Sequence, residues 1–385
     1  QGGQMKIDHI QYLVFALPVL LLGCGSMSGS YQGLSSGNII TGEGIANPNP
    51  VVVNQWGDVP EGLTWGHTAG IDIDPTDGHV WAYERCGSGG GFMVGQGPVN
   101  CETNPVNPIY KFDRYTGEVL ANFGANLMVT PHGIDVDDQG NVWVTDFANN
   151  QAQTKGQQVH KFSPEGELLM SLGVAGKRTT EGGLFNQPND VVIAPDGSIF
   201  VSDGHTGQTL TSENAIEEGR AAGSTGRIMK FSPEGALLME WGRIGTAHGE
   251  FRTPHGMDID SQGRLWVADR GNHRLEIFDL EGNYLESRYS YGRISGIHIT
   301  EDDMVYAIDS ESGPINHVNW ISGVRIGPLD EDRITGFVPG YPLESRGYQS
   351  TAGEGVAVDE DGNIFVAEGP SSINSAGGSF TKYMN

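Results

Sequence analysis

The sequence predicts an all-β fold, a propeller of six blades, and three observations carry that reading. Glycine and proline are dense, at 58 and 19 residues, as a chain of short strands joined by tight turns requires. No stretch past residue 30 repeats apolar residues at helical spacing. A strand–turn–strand unit also recurs: "PHGIDVDDQGNVWVTD" (131–146), "QPNDVVIAPDGSIFVSD" (187–203) and "TPHGMDIDSQGRLWVAD" (253–269).

The elements follow in order. From Met5 the chain reads "MKIDHIQYLVFALPVLLLGCG". Its apolar run is shorter than the roughly 20 residues of a membrane-spanning helix, so residues 1–24 read as a targeting segment. Leu21-Leu22-Gly23-Cys24 resembles the lipobox of bacterial lipoproteins, in which the cysteine, here Cys24, is lipidated. Residues 25–50, rich in Gly, Ser, Asn and Pro, read as a flexible tether. Residues 51–385 are the propeller. This organisation predicts an exported monomer, held at the bacterial cell envelope only by its lipid anchor.

Blade one starts at "TAGIDIDPTDGHVWAYER" (68–85), and blades two, three and four at the three units quoted first. Blade five starts at "ISGIHITEDDMVYAIDS" (294–310) and blade six at "AGEGVAVDEDGNIFVAE" (352–368). The second half of a unit is a further hairpin, as in "QQVHKFSPEGELLMSLG" and "GRIMKFSPEGALLMEWG". Four antiparallel strands per repeat make a propeller blade. Blade six ends one strand short, while "VVVNQWG" (51–57) precedes blade one without a partner. The N-terminal strand should therefore close the ring and remove the exposed sheet edge.

The formal charge of −26 excludes a nucleic-acid partner that reads phosphate through a basic surface. It suits the soluble surface of an exported protein. Cys86 and Cys101 lie in the same exported chain and are expected to form a disulfide.

In a propeller blade, the start of the first strand and the end of the second lie on one face. The first register gives Ala69, His132, Asn189, His255, Ser295 and Glu354 through the six blades. His132, His255 and Glu354 fall on alternate blades, about 120° apart. Two histidines and a glutamate converging in this way form a zinc-ligand set that leaves a position open for water or substrate. A favoured turn would account for one Pro-His-Gly. Two in alternating blades, with a carboxylate completing the pattern, point to a metal.

The second register gives Glu84, Asp146, Asp203, Asp269, Asp309 and Glu368. An acid in every blade points to a structural role, bonding neighbouring backbone. The next position gives Arg85 and Arg270 in opposite blades, suited to a carboxylate-bearing ligand. His205 follows on the same rim.

At these residues the chain resembles the NHL-repeat six-bladed propellers, specifically peptidyl-α-hydroxyglycine α-amidating lyase. The resemblance spans roughly residues 60–385 and rests on the units quoted above together with the "YER" ending of blade one. It implies zinc held by three histidines on alternating blades, matched here by His132, His255 and, as a departure, Glu354. The family's active-site arginines match Arg85 and Arg270, and its catalytic tyrosine falls at His205. A family carboxylate that helps hold a structural Ca2+ falls at Gly355, which offers none. The resemblance implies cleavage of a C-terminal α-hydroxyglycine, on a peptide or small molecule, to an amide and glyoxylate. His205 would take the hydroxyl proton, and Arg85 and Arg270 would hold the carboxylate. The other readings are a metal-dependent hydrolase or lactonase, in which Asn189 and Glu354 ligate calcium, and a non-enzymatic cell-surface binding propeller.

Overall fold

The computed structural model describes residues 37–48, 51–58, 60–61, 63, 65–87, 100–313, 316–340, 353–367 and 380–385. Cys24, Glu368 and the targeting segment 1–24 lie outside the described residues.

Six four-stranded antiparallel sheets account for the strands. Blade two shows the common order, running Pro131–Val136, Val142–Asp146, Gln158–Phe162 and Leu168–Leu172. Blade six is assembled from both ends of the propeller. Val51–Asn54 pairs with Phe380–Met384, Val51 opposite Met384, at the outside of Gly355–Val358 and Ile364–Ala367. The predicted closing strand is there.

Packing explains why the ring holds. The buried apolar residues form six clusters, each shared by two neighbouring sheets. The sixth joins blade six to blade one through Trp56, Phe112, Phe365 and Phe380. No blade buries its apolar faces alone, so the repeats stabilise one another.

A local device fixes the first hairpin of three blades. The Asp74, Asp137 and Asp260 carboxylates accept from the Trp81, Trp143 and Trp266 indoles at 2.9, 3.1 and 2.7 Å. Lys111, Lys161 and Arg264 pair with the same three acids. Each tryptophan thereby buries its ring with its N–H satisfied.

Two features differ from the simplest reading of the sequence. One nine-residue helix, Glu213–Ala221, rises from the rim loop 205–226, and the Ser212 side chain accepts from Ala215 N at its start. Its short run of helix formers carries too few apolar positions to announce itself by periodicity. Residues 37–48, assigned above to the tether, lie along blade five. Ile39 and Ile45 pack against its core, and Arg325 donates to the Ile39 and Ile40 carbonyls. Among the described residues no helix is long and apolar enough to cross a membrane.

Candidate functional site

His132 and His255 stand at the second position of their blades' innermost strands. A bulge after each Pro-His pair shifts the register there. The following glycine lets neighbouring blades meet at the axis: a Cβ on Gly133 would lie 2.4 Å from Asp190 Oδ1. The axis below is a channel of about 200 Å³ whose walls include His132, Asn189, His255 and Glu354.

The hydrogen bonds fix the chemical form of the two rings. His132 Nδ1 lies 2.9 Å from the Asn189 carbonyl, and His255 Nδ1 lies 2.8 Å from the Ser295 carbonyl. A carbonyl only accepts, so each Nδ1 carries the proton and each Nε2 carries a lone pair. Both Nε2 atoms are buried without a hydrogen-bond partner. Burial, then the charge of Arg85 for His132 and of Arg270 for His255, holds both well below the ordinary imidazole range. They are neutral donors awaiting an acceptor of electron pairs, with the carbonyl-bonded back that metal-binding histidines show.

His205 joins them. One nitrogen each from His132, His205 and His255 lie within 4.8 Å of one another. The His205 ring stands edge-on to His132, at 5.4 Å, and to Phe147, at 5.1 Å. Arg270 Nη2 approaches His205 Nε2 at 2.8 Å. Guanidinium has only donors, so this Nε2 is unprotonated and already accepts a bond.

Glu354 stands beside this trio. Its Oε2 lies 3.8 Å from His255 Nε2, and its Oε1 lies 3.7 Å from Arg270 Nη1. Burial pushes its carboxyl up, against the pull of Arg270. The contacts leave it short of hydrogen-bond range of either neighbour, and it is not among the three side chains whose ligand atoms converge within 4.8 Å.

Arg85 and Arg270 both reach the site, 4% and 0% exposed. Arg85 Nε donates to the Pro131 carbonyl at 2.9 Å. Arg270 Nη1 donates to Ser295 Oγ at 3.1 Å and stands 3.6 Å from Glu311. Burial works against the charge of Glu311, yet Arg270 and Arg293 outweigh it and hold that carboxyl below its usual range.

Among the described residues, the acids that end the second strands of blades one to five do bond backbone. Glu84 accepts from Gly66 and Gly87, Asp146 from Val129 and Thr130, and Asp203 from Asn186. Asp269 accepts from Arg252, and Asp309 from Arg293. Cys86 and Cys101 form a disulfide with Cα atoms 4.9 Å apart. It adjoins Arg85.

Sequence reasoning missed His67, Arg293 and Glu311. His67 lies two residues ahead of the first register, and its Nδ1 is 3.1 Å from Arg85 Nη1. Arg293 binds Glu311 at 2.6 Å and Gln208 Oε1 at 2.7 Å. His67 and Arg293 share one repeat position, two residues ahead of the first register, and Glu311 holds in blade five the place that His205 holds in blade three.

Comparison with known proteins agrees with the repeat. The NHL repeat model matches residues 129–152 and 251–278. A peptidyl-glycine alpha-amidating monooxygenase B of Xenopus laevis is 28% identical, over 82% of this chain and 35% of that protein. A peptidyl-alpha-hydroxyglycine alpha-amidating lyase of Drosophila melanogaster is 29% identical, over 71% of this chain and 48% of that protein. The chain thus spans about a third of the length of the first relative and about half of the second. Among solved structures, a gluconolactonase of Xanthomonas campestris superposes with a TM-score of 0.52 at 15% identity, covering 87% of this chain and 89% of that one. That likeness is one of fold.

Proposed function

We propose, for this NHL-repeat six-bladed propeller whose sequence resembles the amidating lyases over most of its length, a metal-dependent lyase acting on C-terminal α-hydroxyglycine. The products would be an amide and glyoxylate. One observation carries the metal: two buried imidazoles with Nδ1 tied to a carbonyl and Nε2 without a partner. Imidazole donors with a carboxylate suit zinc, whereas calcium takes oxygens. His132, His255 and Glu354 would hold the ion. Bound there, it would act as a Lewis acid toward the substrate hydroxyl.

The chain's own residues supply the rest. His205, neutral through burial and the Arg270 charge, takes the hydroxyl proton on Nε2 as Arg270 Nη2 releases the bond it makes there. The oxygen pair closes to the aldehyde C=O, the C–N bond breaks, and a proton joins the departing amide nitrogen. Atoms and electrons balance without an oxidant. Arg270 keeps His205 turned toward the metal ligands. The Cys86–Cys101 disulfide supports an exported location.

A second reading has one observation in its favour. The His132–His205–His255 trio would hold the metal by itself, leaving Glu354 as the proton acceptor.

The experiment is to supply zinc-loaded protein with N-benzoyl-α-hydroxyglycine and measure glyoxylate. Release that stops on chelation and returns with zinc is expected. No release from zinc-replete protein, together with hydrolysis of a sugar lactone, would move the assignment to a lactonase.

A further inference from the structure

Arg85 and His67 form a pair with two donors to spare. Arg85 spends Nε on the Pro131 carbonyl at 2.9 Å and Nη1 on His67 Nδ1 at 3.1 Å. Its Nη2 is buried and has no hydrogen-bond partner. Because guanidinium can only donate, His67 Nδ1 must accept, so the proton of this imidazole sits on Nε2. That second N–H is also buried and unpartnered. It lies 3.9 Å from Glu354 Oε2, too far to bond it. The two residues are 2% and 4% exposed, so bulk water does not satisfy them.

Arg270 stands in contrast. Ser295, His205, Glu311 and Glu354 surround its two terminal nitrogens. Arg85 has no carboxylate within 4 Å among the described residues. With the imidazoles neutral, Arg85, Arg270 and Arg293 carry three positive charges against two on Glu311 and Glu354, a balance of +1. Of the three arginines, Arg85 is the one without a carboxylate at ion-pair distance among the described residues.

We propose that His67 and Arg85 together form the carboxylate subsite of this cleft. The anionic end of the substrate rests on blade one, between His67 Nε2–H and Arg85 Nη2–H, while Arg270 serves His205. A planar carboxylate has two oxygens for these two donors. The identity of that carboxylate as the α-hydroxyglycine terminus rests on the lyase reading; the anion subsite itself does not.

The test separates the two ends of the His67 ring. His67→Asn keeps an acceptor for Arg85 but deletes the far N–H, whereas His67→Gln retains an N–H near the Nε2 position. Glyoxylate is titrated calorimetrically into zinc-loaded proteins, and zinc content is measured on the same samples. His67→Asn should bind glyoxylate about tenfold more weakly, the scale of one lost charge-assisted bond, with zinc content unchanged. His67→Gln should stay near wild type, and Arg85→Lys should lose more than Arg270→Lys.

Equal glyoxylate affinity in wild type and His67→Asn overturns the proposal. So does loss of zinc from His67→Asn with unaltered glyoxylate affinity per loaded site, which would make His67 a support for Glu354. Absence of glyoxylate binding by wild type also overturns it. Glyoxylate binding with the expected pattern, but no cleavage of α-hydroxyglycine, would sink the lyase reading and leave the subsite standing.

Discussion

Glu354→Gln separates the two possible ligand sets. The substitution keeps the side-chain volume and an acceptor oxygen while removing the charge that lies 3.8 Å from His255 Nε2. Losing an outer-shell partner costs a metal site about 10–100-fold in affinity, so losing a direct carboxylate ligand should cost at least the upper figure. With free zinc 100-fold above the wild-type Kd, binding adds about 2.7 kcal/mol to stability; for a site 100-fold weaker, RT ln 2 leaves about 0.4 kcal/mol. At roughly 2–4 °C per kcal/mol, a figure that shrinks in larger chains, the zinc-induced rise in Tm should fall from several degrees to about one. The metal-free variant should be no less stable than wild type at neutral pH, because burial disfavours the charge on Glu354. Differential scanning calorimetry with and without zinc reads both quantities. His205→Gln should keep the zinc response. If Glu354→Gln keeps it and His205→Gln loses it, the three histidines hold the metal and the assignment of Glu354 is refuted.

Two further predictions concern stability. The Cys86–Cys101 bridge spans 15 residues, and a loop of that size contributes about 3 kcal/mol in the chain-entropy model. Cys86→Ser with Cys101→Ser should lower denaturant stability on that scale and weaken glyoxylate binding through Arg85. The second concerns Asp72, Asp190 and Asp258 on the channel wall, where burial pushes the carboxyls up to about 8, about 7 and about 7. Raised acids bind more protons folded than unfolded, so stability should fall as pH rises from about 4, the unfolded value, through about 8. Asp190→Asn keeps an acceptor for Met257 N, which Asp190 Oδ2 meets at 2.9 Å. It should raise Tm at pH 8 relative to wild type and converge with it only below about pH 4, the unfolded value, and parallel curves at every pH would refute the argument.

The sequence by itself determined the blades. Alternating apolar residues and hairpin turns act within some 20 residues, so each unit declares its strands locally. Ring closure was also legible, because a three-stranded sixth unit and an unpartnered Val51–Asn54 leave one another as the only match. The positions of His132, His255, Arg85 and Arg270 followed from register, since a repeat places equivalent residues on one rim. Tertiary structure decided what those residues do there. The Arg270–His205 contact spans 65 positions and the Arg85–His67 contact 18, and His67 holds a repeat position whose counterparts Thr130, Gln187, Thr253 and Arg293 share no chemistry with it. Which imidazole nitrogens keep an unused lone pair depends on which carbonyl or guanidinium each ring meets, and for His132, His205 and His255 those partners come from neighbouring blades. A repeat fixes where a side chain starts; the packing of one blade on the next fixes what its polar atoms have left to bind.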